Sequence, residues 1–409
     1  MKYLSTEKPG AGHSGYQQQV KEANIKRIFD LVRSGKCKSR AEIVRFMNLS
    51  ATSVSVLVEE LAERGLIDET GPALTTQPGR RPISLRLNAD AHQLAVFAIQ
   101  PWGVRFTLFN LDCQVIESLF FTIEKEGLTD ETAGEAYTDL FCDILQHRSK
   151  QYDPKRALVI GICFPGTYVE CDHVFNTFFA LGYSLKEDDM RRFQQRIGLP
   201  VYLLNTTRSM AYAEKKYLDA ARDDGVEIND IVFVLIQQSV HCALITGGDI
   251  FTGPYNVAGV IGHFTIDYKG RPCRCGNTGC LRQYVNVNAI LAEAQQAARE
   301  AGIEPPETFD ALAERYADEP ALLAVVKQAA ELLSFGLYNI MCSSGMRRIA
   351  LGGGITALGK GFLDEVYRAL CRRTLMIRSL DLSYAQAGPD AECVGIARYF
   401  LDKVFTITV

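Results

Sequence analysis

Apolar positions in the first ninety residues recur at helical spacing, in short runs separated by caps and stops. Ile25, Ile28, Leu31 and Val32 fall three to four residues apart, which predicts a helix from Gln17 to Ser34 ended by Gly35. Ser39-Arg40-Ala41-Glu42 has the spacing of a capping box, in which the hydroxyl and the carboxylate each satisfy a free amide at a helix start. The helix it opens carries Ile43, Val44 and Met47 and ends near Asn48. A third begins at a Ser50 cap, continues through Val54, Leu57, Val58 and Leu61, and stops at Arg64-Gly65. From Leu66-Ile67 the period becomes two. Thr75 to Pro82 is rich in turn residues, and Ile83-Ser84-Leu85-Arg86-Leu87 alternates as a return strand. Residues 17–88 are therefore expected to form a winged helix-turn-helix, with the third helix in the recognition position. Residues 1–16, rich in Gly, Ser and Lys, are expected to be a disordered tail.

Beyond residue 88 the pattern is that of an α/β body. Three strand-like runs (Gln93–Gln100, Val104–Asn110, Val115–Ile123) precede a helix over Thr129–Gln146 and a buried strand Ala157–Cys163. A helix (Leu185–Ile197), a strand (Val201–Leu204) and a helix (Ser209–Tyr217) follow. At Ile231 the opening motif returns: IVFVLIQQSVHCALITGG is a strand, a tight turn and a returning strand, like AVFAIQPWGVRFTLFNL at 95–111. This weak repeat predicts two α/β lobes, about 89–205 and 206–409, with a cleft between them. The later part is mostly helical, and one buried strand, Arg348–Leu351, runs into Gly352-Gly353-Gly354. Such a turn either cradles a phosphate or passes close to other backbone.

Composition changes the picture little: 47% of the residues are hydrophobic and 22% charged, as in ordinary globular chains. No apolar run approaches the roughly 20 residues that span a bilayer, and the N-terminus lacks a signal-peptide core. A cytoplasmic protein without membrane partners is expected, and its twelve cysteines should stay reduced. Charge is more informative. Residues 17–88 hold twelve Lys and Arg against eight Asp and Glu. The whole chain carries −4 and residues 1–16 carry +1, so the body bears −9. A basic front on an acidic body suits contact with a polyanion.

Small polar residues at the front of the third helix, Ser50, Thr52, Ser53 and Ser55, allow close approach to phosphates and base edges of double-stranded DNA. Arg80 and Arg81 at the hairpin tip suit phosphates or a minor groove. Val56, Val58, Glu59 and Glu60 follow, so this helix is poor in base-reading Arg and Gln. Modest affinity per half-site and reliance on a dimer are expected.

Metal chemistry is confined to GHFTIDYKGRPCRCGNTGCL at 262–281. It supplies His263, Cys273, Cys275 and Cys280, the imidazole and thiolates that tetrahedral Zn2+ takes in closed, structural sites. Gly276 and Gly279 permit the tight path that brings Cys275 and Cys280 to one ion.

GH-x9-C-x-C-x4-C-L, a winged helix ending in Gly-Arg-Arg-Pro, and a late LGGG resemble the ROK family of repressors, open reading frames and kinases, over about residues 17–405. The resemblance implies an actin-like pair of ribonuclease-H-type lobes. For members with a winged helix it implies sugar-responsive repressors, usually homodimers or tetramers. It also implies which parts are missing. Where family kinases have an Asp and paired glycines for ATP and metal, this chain has Gln100-Pro101-Trp102-Gly103, with Trp102 filling phosphate space. Gly-Thr-Gly becomes Gln237-Gln238-Ser239. The catalytic Asp of an Asn-Asp pair becomes Thr206 after Asn205, and the loss of a general base costs about 10²–10⁴-fold. Two sugar-binding carboxylates become Val260 and Arg282, while Asn205 and His263 remain.

The expected function is thus a DNA-binding transcriptional regulator, a repressor, with no catalytic residues of its own. Asn205, His263 and Arg282 would be candidates for contact with a sugar-derived or anionic effector. Two other readings stand beside it: an active sugar kinase fused to a winged helix, and a protein-docking adaptor with weak DNA binding.

Overall fold

The computed structural model of the 409-residue chain describes residues 2–4, 16–72, 83–124, 126–169, 172–222, 224–373 and 380–406. Its first element departs from the expected disordered tail at three residues. Lys2–Leu4 is a strand, β1, antiparallel to β11 (Val201–Asn205), with Lys2 opposite Leu203 and Leu4 opposite Val201. A sheet edge offers unpaired N–H and C=O groups, and a passing segment satisfies them whatever its composition. Tyr16 already belongs to the first helix; residues 5–15 lie outside the described residues.

Three helices follow: α1 (Tyr16–Arg33), α2 (Arg40–Met47) and α3 (Ala51–Glu63). Ile25, Ile28, Phe29, Ile43, Val54, Val58 and Leu61 are fully buried, so the helical spacing marks the face that makes the small core. Ser39 caps α2 by accepting from the Glu42 amide at 3.3 Å, but the Glu42 carboxylate accepts from the Lys38 amide at 2.7 Å and not from Ser39. Strands β2 (Ile67–Pro72) and β3 (Ile83–Leu87) pair antiparallel, from Ile67 opposite Leu87 to Pro72 opposite Ile83. The Leu85 amide donates to Lys38 O at 2.8 Å, tying the hairpin to the start of α2. The hairpin tip, with Arg80 and Arg81, lies outside the described residues.

Contacts divide the chain into two units whose bounds differ from the expected domains. One comprises Lys2–Phe164, Leu181–Leu204 and Ile396–Val409, so the three-helix module is not separated from the first lobe and the C-terminus returns to it. The other comprises Pro165–Ala180 and Asn205–Gly395. Hydropathy periods identify elements but carry no record of where a returning segment docks.

In the first unit β4 (Gln93–Gln100), β5 (Gly103–Asn110), β6 (Val115–Thr122) and β7 (Ala157–Phe164) join β1 and β11 in a six-stranded sheet, order β1-β11-β7-β4-β5-β6. Helices α4 (Ala133–Asp143) and α6 (Glu187–Ile197, preceded by the two-residue β10, Leu185–Lys186) belong to this unit. Phe97 of β4 stacks on Phe141 at 4.3 Å between ring centres, and Phe193 meets Phe141 edge-on at 5.4 Å. Leu94, Val96, Val159 and Gly161 instead border a small space with Ile396, Ala397 and Phe400. Alternation along β4 thus feeds two cores.

In the second unit β8 (Thr167–Val169) pairs with β9 (Val174–Asn176), and α5 (Phe178–Leu181) follows. Its main sheet contains β12 (Ile231–Ile236), β13 (Val240–Thr246), β14 (Asp249–Phe251), β15 (Arg348–Gly352) and β16 (Asp381–Tyr384), in the order β14-β13-β12-β15-β16. An antiparallel hairpin joined by parallel strands on its inner side recurs in both units. The repeat of the two hairpins is therefore one of topology as well as pattern. Val232, Val234 and Ile236 share a core with α9 (Val287–Ala301), α10 (Phe309–Arg315), α11 (Pro320–Ser344) and α12 (Gly359–Cys371), whereas α7 (Thr206–Ala220) also packs on β12 and β13. One-turn α8 (Arg282–Val285) leads into α9, and α13 (Ala391–Tyr399) belongs to this unit as far as Gly395. Among the described residues α11, with 25 residues, is the one helix long and apolar enough to cross a bilayer. Leu322, Val326, Leu333 and Leu337 on it are fully buried in the core just described. A helix was expected from Pro320 to Met341, and the observed one runs three residues further.

Candidate functional site

Cys273, Cys275, Cys280 and His263 converge as their spacing predicts. One donor atom from each lies within 4.8 Å of every other. Cys273 Sγ is 3.7 Å from His263 Nδ1, and Cys275 Sγ is 3.7 Å from Cys280 Sγ. Thiolates about 2.3 Å from a central ion stand roughly 3.8 Å apart at tetrahedral corners, so the donor set has the dimensions of a four-ligand metal centre. Burial, then Arg282, pulls the His263 imidazole below its usual range, favouring the neutral form that ligates.

The loop is held by its own backbone. Ile266 N donates to Gly279 O at 2.9 Å, Leu281 N to Phe264 O at 2.9 Å, and Cys273 N to Asn277 O at 2.8 Å. Gly279 has φ +69°, and a Cβ there would come within 1.6 Å of Asp267 O, so no side chain fits at this crossing. Leu281 and Val285, immediately after the last cysteine, are fully buried in the helical core. Closing the cluster therefore also fixes a core segment.

A small pocket open to solvent lies in the same unit, bordered by Asn205, Thr207, Arg208, His241, Asn256 and Val260. Asn205 caps α7, its Oδ1 accepting from the Arg208 amide at 3.0 Å, and its Nδ2 donates to Gly166 O. Both ends of its amide are already engaged. Thr206 opens α7, and its hydroxyl is buried without a hydrogen-bond partner among the described residues. Arg282 does not border the cavity. Its charge reaches His241 and His263, and it begins α8 after the last cysteine. The three expected ligand contacts are therefore not brought together: Asn205 borders the cavity, His263 sits in the cysteine cluster, and Arg282 stands apart.

Sequence reasoning passed over Arg208, His241 and Asn256. Arg208 is 6% exposed, and its Nη2 donates to Asn256 O at 2.8 Å while Nη1 donates to Asn256 Oδ1. Burial pulls its guanidinium down to about 10, still protonated at neutral pH. Burial, with Arg282 and His263 adding to it, lowers His241 to about 4; its Nε2 lies 2.6 Å from Ser239 Oγ. The available signal was a basic residue in the first turn of a capped helix, where the dipole disfavours cations.

Two turns expected to matter for phosphate have other company here. Gly353 has φ +89°, and a Cβ would lie 2.4 Å from Ile236 O and 2.9 Å from the Gln237 side chain. Its glycine serves close backbone packing against the turn at Gln237-Gln238-Ser239. Trp102, at the tip between β4 and β5, is 53% exposed.

On α3, Ser50, Thr52 and Ser53 are exposed and Ser55 is half-buried. Ser50 Oγ accepts from the Ser53 amide at 3.0 Å and lies 2.8 Å from Ser53 Oγ, so these two hydroxyls form the cap. Thr52 is left projecting. Phe46 of α2 and Val56 of α3 are also about half exposed, at 54% and 50%.

Comparison with known proteins identifies the body. The ROK family model matches residues 106–403. A putative xylose repressor of Caldicellulosiruptor sp. (strain Rt8B.4) is 26% identical over 377 residues, covering 88% of this chain and 90% of that one. Among solved structures, a ROK family transcriptional regulator described as a homologue of the E. coli MLC protein superposes with a TM-score of 0.77 at 22% identity, over 93% of this chain and 97% of its own. The ROK hexokinase of Thermus thermophilus superposes with a TM-score of 0.59 at 22% identity, over 75% of this chain and 97% of its own. The fold is thus the two-lobed sugar-kinase type, and the chain belongs to the ROK family.

Proposed function

We propose that this protein is a DNA-binding transcriptional regulator of the ROK type, acting as a repressor through a winged helix-turn-helix on a non-catalytic body. The observation that carries it is the N-terminal module: three helices and a hairpin in which α3 presents an exposed, capped, small-residue start. The match to a protein named as a repressor along nearly the whole chain supports the same reading. Backbone amides at the α3 N-terminus and the Thr52 hydroxyl suit phosphate or base-edge contacts, and the exposed Val56 and Phe46 suit thymine methyls. Arg80 and Arg81 would add phosphate or minor-groove contacts from the wing. Operator binding would use a homodimer or tetramer, since one α3 offers few base-reading groups.

Four ligands and no open position make the metal centre structural, with Zn2+ as the ion its thiolates and imidazole prefer. Thr206 in place of a catalytic carboxylate supports a body that does not transfer phosphate, because a hydroxyl is no base at neutral pH. A sugar-derived or anionic effector would bind in the cavity beside α7. The test is a gel shift with DNA upstream of the protein's own gene at several salt concentrations. A retarded complex that weakens steeply with salt is expected. Absence of any complex at low salt, or turnover of a hexose with ATP, would overturn the proposal.

A further inference from the structure

The cavity beside α7 holds a buried cation, Arg208, with no buried anion to match it among the described residues. Among the described residues no Asp or Glu borders it, and no carboxylate forms an ion pair with Arg208. The hydrogen bonds of Arg208 go to two neutral oxygens of a single residue, Asn256, although a guanidinium offers five donors. Buried charges are ordinarily paired, because desolvation is not recovered from neutral dipoles alone. The field of α7 has the same sign: Asn205 caps this 15-residue helix, and Thr207 and Arg208 lie in its first turn, all three at the cavity. His241 is neutral at physiological pH and contributes hydrogen bonding only.

We propose that Arg208 makes this cavity selective for an anion: a small polyhydroxy compound carrying a carboxylate or phosphate, whose acidic group pairs with the guanidinium while Thr207, His241 and Asn256 meet its hydroxyls. This deepens the effector reading given above by naming the ligand class and the residue that selects it. It does not depend on DNA binding, so a failed gel shift and a failed ligand test are distinguishable. A rival role for Arg208 is that of a clamp on Asn256, which adopts φ +61°. A clamp has no preference for charged ligands.

Calorimetry on the full-length protein would compare D-xylose and D-glucose with D-xylonate, D-glucuronate and glucose 6-phosphate, with inorganic phosphate as the bare anion. At least one acid is expected to bind the wild type ten-fold or more tighter than its neutral counterpart, about 1.4 kcal/mol. The carboxylate and phosphate arms separate the two sources of charge. Arg208→Gln should erase that preference, and Arg208→Lys should keep part of it. The wild-type comparison stands even if the Gln variant does not fold. Neutral sugars binding as tightly as their acids, no acid binding at all, or a folded Arg208→Gln variant that retains the preference would each overturn the proposal.

Discussion

Arg33, the last residue of α1, is ion-paired with Asp402, 369 residues later, and each side chain is less than 15% exposed. Phe405 meets Phe29 of the same helix edge-on at 5.6 Å between ring centres. The first helix of the N-terminal three-helix module is thus held by residues 402–405, within one compact unit.

Removing Asp402 leaves Arg33, in a poorly solvated place, only the longer contact with Asp30 at 3.8 Å. Asp402→Ala should therefore destabilise this unit by about 3 kcal/mol. Arg33→Met combined with Asp402→Leu should recover most of that loss, because the desolvation of both charges disappears. Urea unfolding followed by far-UV circular dichroism reads both. An unchanged midpoint in Asp402→Ala would show that the pair contributes nothing.

Metal and folding should be coupled at 263–281. Cys275→Ser is expected to lower bound zinc from one ion per chain towards none and to lower the melting temperature by several degrees, since part of the metal-binding free energy is folding free energy. Elemental analysis and a thermal melt check this. A variant with full zinc content would refute the ligand assignment.

Arg80→Ala with Arg81→Ala should weaken DNA binding about equally for all sequences. It should also reduce the slope of log affinity against log salt by about two, because each arginine that neutralises a phosphate displaces about one counterion. Thr52→Val on α3 should instead change preference among operator variants. Unchanged affinity and slope in the double variant would remove the hairpin from the interface.

His241 gives a pH dependence of definite sign. Its folded value, near 4, lies below the ordinary histidine value of about 6.5. Between those limits the unfolded chain binds a proton that the folded one refuses, so stability is present above pH 6.5 and is lost as pH falls towards 4. His241→Gln should flatten this part of the profile, by on the order of 2 kcal/mol. Both proteins would be compared metal-loaded by chemical denaturation at pH 7.5 and pH 5. Parallel profiles would contradict the assignment.

Periodicity located most elements within a few residues, because the side of a helix or strand that enters a core must be apolar whatever it packs against. Ile25, Ile28, Val54 and Leu61 read as core and are core. The cysteine cluster was legible for a similar reason: its four ligands fall within eighteen residues, so local backbone suffices to bring them together. Topology was legible only in the recurrence of the two strand–turn–strand motifs.

Relations between distant residues required the fold. Lys2–Leu4 completes a sheet edge two hundred residues away, and Asp402 reaches Arg33, although no period in the sequence marks either segment as a partner. Arg208 lies just before the helix expected at Ser209–Tyr217 and stands out only once packing takes it out of water and leaves it, among the described residues, without a carboxylate. The sequence by itself determined what each segment would form and which donors could share an ion, since those depend on neighbours along the chain. Only the tertiary structure decided which charge is buried and which segments meet, because burial and long-range pairing arise when distant parts of the chain exclude the same water.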